Sequence, residues 1–262
     1  MVNEGKASLK AFCDASDYNY DEKLIDQILI KEKQLQEKLN ISTKNVFRYP
    51  KVRLVLAKLA VAWFAASMLY YGIIFSTTPN VLLNNFLLGV LSALAGPMMC
   101  ILMKSKFSNR RTLLGSLYII TGLSVLAMAI IANYKNNVAS LIFGSVSYGV
   151  ISGAFSLLFL YTSELLPTVI RSSVFGTLSG IARIGSMIGS QVLNLNTDER
   201  PWVAGLIFGI IALIAAGLIF TLPETRGEPL TQTLDEAEMA FTKSYEDSNT
   251  DDDRSDEKRD IV

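Results

Sequence analysis

Apolar residues in this chain gather into six runs, each close to the roughly 20 helical residues that a hydrocarbon layer about 30 Å thick requires. The runs are Leu54–Ser76, Val81–Met103, Thr112–Ala132, Val138–Tyr161, Val174–Leu195 and Trp202–Leu222. Each is too long for a buried strand, and turns punctuate the series at Thr78-Pro79-Asn80, Asn133–Asn137 and Asn196–Pro201. Within lipid a backbone must satisfy its own hydrogen bonds, and long apolar runs do so as helices. The expected fold is an all-α membrane protein, a bundle of six transmembrane helices.

An even number of spans puts both termini on one side, and lysine and arginine decide which. One set of flanks carries Lys51, Arg53, Lys104, Lys106, Arg110, Arg111, Arg171 and Arg226, whereas the opposite set carries only Lys135 and Arg200. Both termini and the larger loops are therefore expected to be cytoplasmic. The organisation read from the chain is a cytoplasmic linker over 1–53, the bundle over 54–222, a cytoplasmic post-membrane segment over 223–242 and an acidic tail over 243–262. Inside the linker, Leu24, Ile28, Leu35 and Leu39 recur at helical spacing, predicting an amphipathic surface helix over 21–39 with Asp21 as its cap. The tail, KSYEDSNTDDDRSDEKRDIV from Lys243, is too polar to bury a core and is expected to be disordered. The first residues lack an apolar core of signal-peptide length, so the first span is expected to act as the targeting signal.

Composition narrows the chemistry. The chain contains no histidine, which removes the commonest catalytic base and metal ligand. Its two cysteines, Cys13 and Cys100, fall in a polar stretch and an apolar span, against both a disulfide framework and a zinc site. No span holds paired carboxylates, and no phosphate-cradling Gly-x-x-x-x-Gly-Lys loop occurs. An enzyme, an ATP-driven pump and a bound cofactor are all disfavoured. The implied partners are the lipid bilayer and a small solute, with no nucleic acid.

Arg183 stands near the middle of the fifth run. A cation at that depth costs roughly 2.5–3.5 kcal/mol on insertion scales, so it has to face a polar interior. One reading is a packing arginine bonded to neighbouring carbonyls. The other is a charge lining a path for an anionic or zwitterionic solute. Charged pieces also collect at the basic span ends: Lys104–Arg111, Ser163–Arg171 and Leu222–Gly227. The positive-inside rule alone accounts for the cations but does not require Glu164 and Glu224. Those carboxylates lie within plausible reach of Arg110, Arg111, Arg171 and Arg226, a set able to close one side of a transporter and break when it opens.

Tyr161-Thr-Ser-Glu-Leu-Leu-Pro-Thr-Val-Ile-Arg171, Ile181-Ala-Arg-Ile-Gly185 and Leu222-Pro-Glu-Thr-Arg-Gly-Glu-Pro-Leu230 resemble the organic cation, organic anion and carnitine transporters of the major facilitator superfamily. Trp63-Phe64 followed by Tyr70-Tyr71-Gly72 resembles that family's seventh helix. The resemblance covers about residues 50–240, and it implies the second half of a twelve-span carrier, helices seven to twelve, preceded by the central linker. One departure is Ser105-Lys-Phe-Ser-Asn-Arg110, where the family usually reads Asp-Arg-x-Gly-Arg-Arg, so the acidic residue and the glycine of that turn are missing. The resemblance also bears on charge. Cation carriers tend to hold an acidic residue where Arg183 stands, and anion and carnitine carriers tend to hold arginine.

Helical spacing completes the candidate set. Trp63, Ser67 and Tyr70 share one face of the first span, and Ser145, Tyr148, Ser152 and Phe155 share one face of the fourth. Gly176, Ser179, Gly180, Arg183, Ser186, Met187 and Ser190 flank one another on the fifth. The substrate-binding set is Arg183, Trp63, Tyr70, Tyr148, Ser152 and Ser179, an aromatic cage with hydroxyls and one fixed charge. Ordinary aromatic packing is the alternative for each ring. Lys58 is expected to snorkel and stay out of the cavity. Four glycine pairs, Gly149/Gly153, Gly176/Gly180, Gly185/Gly189 and Gly205/Gly209, are expected to serve close packing in the bundle rather than dimer faces. The expected function is transport of small organic anions or zwitterions across the plasma membrane by alternating access. The alternative is a transport-inactive half, either an incomplete gene product or a modulator that pairs with a complementary six-helix half or a full-length relative.

Overall fold

A computed structural model describes residues 46, 48–75, 81–104, 109–132, 134, 137–196, 200–227 and 231–243. The amphipathic helix expected over 21–39 and the tail beyond 243 lie outside the described residues. Among those described, six long helices follow one another: α1 (Pro50–Phe75), α2 (Val81–Lys104), α3 (Arg110–Ala132), α4 (Asn137–Leu165), α5 (Arg171–Val192) and α6 (Val203–Phe220). A 3-10 turn, Leu193–Leu195, extends α5, and a short helix α7 over 234–243 follows the bundle. No strand occurs among the described residues.

Five of these helices are long and apolar enough to cross a membrane, and α5 is not among them. The six runs each form a helix, and α5 is the least apolar of them. At 22 residues α5 has the length. Ser172, Ser173, Thr177, Ser179, Ser186 and Ser190, together with Arg183 and four glycines, dilute its apolar content. Its buried face is formed by Val174, Leu178, Ala182, Gly185 and Gly189, while Ile184, Met187 and Ile188 are exposed.

Packing explains how so polar a helix keeps its place. α1 lies chiefly against α5, and α3 against α6, while α4 is wedged against α3, α2 and α1. Small residues make the closest approaches. A Cβ on Gly185 would come 2.5 Å from the Phe64 carbonyl oxygen, and one on Gly189 2.5 Å from that of Met68. Only glycine lets α5 and α1 run backbone to backbone there. Gly205 and Gly209 meet Ala129 and Leu126 of α3 in the same way, and Gly153 touches Met99 of α2. Gly176 and Gly180 differ, because nothing lies within 4 Å of either. Three of the four glycine pairs thus face neighbours inside the bundle and one faces open space.

The outward surfaces of α2 and of α6 are apolar. Phe86, Leu94, Met98 and Ile101 of α2, and Leu206, Ile210 and Ile214 of α6, are all exposed. Exposed aliphatic surface of that extent suits hydrocarbon rather than water.

Candidate functional site: an arginine face, an aromatic run and a carboxylate-capped end

Two features stand apart from ordinary bundle packing. The first lies at mid-depth. Arg183 is the thirteenth residue of α5, roughly 18 Å along the helix from Arg171. Its side chain is exposed, and among the described residues its guanidinium has no hydrogen-bond or ion-pair partner. It shares the side of α5 turned away from α1 with Ser172, Gly176, Gly180, Met187 and the half-exposed Ser179 and Ser190. Small and hydroxylic residues make up most of that side, with the exposed Met187 among them and Ile184 at its border. The close approach of Gly185 to Phe64 also sets the register, placing Arg183 within about one helical turn of Trp63 in depth.

A series of aromatic rings runs along α1, α4 and α5. Tyr71 meets Tyr70 at 5.3 Å between centroids, Tyr70 meets Tyr148 at 4.9 Å and Phe155 at 6.2 Å, and Phe155 meets Trp63 at 5.7 Å. Trp63 in turn contacts Phe159 at 4.4 Å and Phe175 at 5.8 Å, and Phe159 stacks on Phe175 with 12° between planes. Edge-to-face and offset contacts of this kind hold rings in fixed orientations.

The members do not contribute alike. Trp63 is 1% exposed and its indole N–H donates to the Thr162 hydroxyl at 3.1 Å, so its polar edge is engaged within the bundle. Tyr148 is buried, and Ser152 is buried with its hydroxyl 2.9 Å from that of Ser92 on α2. Surface is left at Tyr70, Tyr71 and Phe155, which are half-buried, and at Phe159, which is 44% exposed. Sequence reasoning missed Phe159 and Phe175 as ring partners. The four-residue step Phe155, Phe159 was the signal available for the first of them.

The second feature is the basic end, where α1, α3 and α5 begin. Arg110 forms an ion pair with Glu164 at the end of α4, and the other Glu164 oxygen accepts from the Thr225 hydroxyl at 3.0 Å. Glu224 acts differently from the expected counter-charge. Its carboxylate accepts the backbone N–H groups of Arg110 at 2.9 Å and Arg111 at 3.1 Å, and so caps the first turn of α3 from a distant part of the chain. Those N–H groups have no intrahelical acceptor and sit at the positive end of the helix dipole. The Arg111 guanidinium donates to the Leu222 carbonyl at 3.1 Å, and that of Arg171 to the Leu166 carbonyl at 3.0 Å. The Nε atoms of both are buried without an acceptor among the described residues. Arg226 is exposed, and its backbone N–H reaches Glu224 at 3.3 Å. Lys58 donates to the Thr221 carbonyl at 3.1 Å, at the end of α6 and away from the aromatic run.

The post-membrane segment is built into this end. Leu234, Ala237 and Phe241 of α7 are buried. Glu238 accepts the backbone N–H groups of Lys51 at 3.0 Å and Val52 at 2.9 Å, capping α1 as Glu224 caps α3. Asp235 accepts the Tyr49 hydroxyl at 2.7 Å, which raises that phenol above its ordinary range because the ionised oxygen would confront a carboxylate. Thr233 and Glu236 form a reciprocal capping box at the start of α7, and the N–H groups of Gln232 and Thr233 hold the Glu236 carboxyl below its usual range. The Thr168 N–H reaches the Thr231 carbonyl at 3.3 Å, tying the α4–α5 turn to the same segment. No cluster of residues able to hold a metal ion occurs among those described.

Residues 4–236 match the family described as "Sugar (and other) transporter". The chain is 32% identical over 212 residues to "Organic anion transporter 3" of Oryctolagus cuniculus, covering 79% of this chain and 38% of that protein. It is 30% identical over 261 residues to the protein of the same name from Sus scrofa, covering 94% and 47%. "Solute carrier family 22 member 6" of Rattus norvegicus is 29% identical over 208 residues, covering 76% and 37%. The chain thus spans less than half the length of the curated relatives it matches.

Proposed function

Because this chain belongs to the sugar (and other) transporter family, we propose that it forms one half of an alternating-access carrier for small organic anions or zwitterions. The observation that carries the reading is Arg183, an exposed guanidinium at the middle of α5 with no partner among the described residues. A charge so placed is tolerable next to water or polar surface, and its free donors fit a carboxylate or sulfonate. The half-exposed rings of Tyr70, Tyr71, Phe155 and Phe159 offer the apolar surface that an organic ion adds to its charge. Trp63, Tyr148 and Ser152 hold these rings in place from behind. Ser179 borders Arg183 and supplies a hydroxyl. The names of the relatives, organic anion transporters among them, favour the same substrate class.

In this reading the face of Gly176, Gly180 and Arg183 meets a complementary six-helix half across a central solute path. The Arg110–Glu164 pair, with Arg111, Arg171, Glu224 and Arg226 around it, closes the inward side and parts when that side opens. Both termini lie in the cytoplasm, by the distribution of basic residues, and the membrane is the plasma membrane. In a complete carrier containing this half, Arg183→Asp should abolish uptake of anionic probes and leave or raise uptake of cationic ones. Unchanged anion uptake would remove the charge-selectivity claim.

The coverage of the relatives favours a second reading, in which the chain alone does not transport and acts only beside a complementary half or a full-length relative. Reconstituting the purified chain into liposomes separates the two. Saturable uptake without a second half would contradict the inactive-half reading.

A further inference from the structure

The segment after α6 touches the basic end at several separate places, and none of those contacts is needed for a chain merely to leave the membrane. Glu224 and Thr225 hold α3 and α4. Thr231 holds the α4–α5 turn. Asp235 and Glu238 hold α1 and the residue before it. All belong to one short stretch of chain, so the first turns of α1 and α3 are capped by two carboxylates from the same strap. α1 carries Trp63 and Tyr70, and α3 carries Arg110.

We infer that α7 is a strap coupling the aromatic helix to the gate, with Glu238 as the positioning residue that fastens α1. Three observations support this. Glu238 uses both carboxylate oxygens on α1, which orients it rather than simply neutralising it. The apolar side of α7, Leu234, Ala237 and Phe241, is buried, so the carboxylate is presented from a fixed helix. The Thr233–Glu236 capping box fixes where that helix begins, and therefore the height at which Glu238 meets α1. Loss of the Glu238 cap frays α1 locally. Because Glu224 and Glu238 cap α3 and α1 from nearby positions in the chain, loosening at Glu238 extends to the first turn of α3.

Hydrogen–deuterium exchange of the full chain in lipid nanodiscs tests this, and it does not depend on transport, so its failure is distinct from failure of the carrier reading. Glu238→Gln should speed exchange at residues 51–54 about five- to tenfold, as expected for removal of a charged cap, and speed it at 110–113 by about twofold or more. Glu238→Asp should restore part of the protection at both places, since the charge remains. Met239→Ala, on the exposed side of α7, serves as the control for folding and should change neither. Unchanged exchange at 51–54 would show that Glu238 does not fasten α1. A change at 51–54 with none at 110–113 would overturn the coupling. Equal changes in the Met239→Ala control would reduce the effect to general loosening of α7 and overturn it as well.

Discussion

At the scale of single residues, the basic end shows what charge counting misses. Glu164 and Glu224 read alike in sequence, as carboxylates among arginines, yet they do different work. Glu164 pairs with a side chain, and Glu224 caps a helix. Glu224→Gln should therefore destabilise the half by about 1 kcal/mol through loss of the charged cap, whereas Arg226→Gln should cost less than about 0.5 kcal/mol because its side chain is exposed. Chemical denaturation in detergent checks the difference, and equal losses would contradict the distinct roles. Titration gives a second check. The Glu236 carboxyl is held low in the folded chain by N–H donors. The contribution of its capping box is thus fully present above the ordinary glutamate range and lost as pH falls through the lowered value. An NMR titration of Glu236 should return a midpoint below that of an unfolded glutamate, and a midpoint at or above it would contradict the box. The bidentate caps by Glu224 and Glu238 were not legible in the sequence, because each joins residues that only the folded bundle brings together.

At the scale of elements, the positions of helices follow from apolar run length, while their faces follow from neighbours. Hydropathy located α1, α2, α3, α4 and α6 without difficulty, since each holds enough aliphatic residues to cross a membrane by itself. Its signal was weakest at α5, whose buried face packs on α1. Glycine spacing likewise signalled close packing but could not say against what. The structure separates the cases, and substitutions can follow. Gly189→Ala forces a Cβ to 2.5 Å from the Met68 carbonyl oxygen, a backbone atom that cannot swing aside. The expected cost is about 1–3 kcal/mol, seen as a lower unfolding temperature in detergent. Gly176→Ala meets nothing within 4 Å and should leave the half as stable or slightly more so, by up to about 1 kcal/mol. In a complete carrier the same Gly176→Ala should still impair uptake if a second half packs there. Full uptake with normal stability would mean that face is unoccupied.

At the scale of the whole molecule, the two sides of the bundle are dissimilar in a way that sets its role. Aliphatic side chains cover the exteriors of α2 and α6, whereas the open side of α5 carries hydroxyls, glycines and one guanidinium together with the exposed Ile184, Met187 and Ile188. The α2 and α6 exteriors thus suit lipid, and the strip around Arg183 suits water or a polar partner. Class and helix order could be read from run lengths. The allocation of rings between support and surface could not, because Trp63, Tyr148 and Ser152 sit on the expected faces yet are buried against other helices. Cysteine accessibility tests the dissimilarity. With Cys13 and Cys100 replaced by serine, Arg183→Cys, Gly180→Cys, Ile210→Cys and Ile214→Cys variants of a carrier containing this half are treated with a charged, membrane-impermeant methanethiosulfonate. Modification at positions 180 and 183, slowed at 180 by an organic anion, with none at 210 and 214, is the predicted result. Inert thiols at 180 and 183 beside the same inert pair on α6 would place the arginine face in lipid and contradict the account.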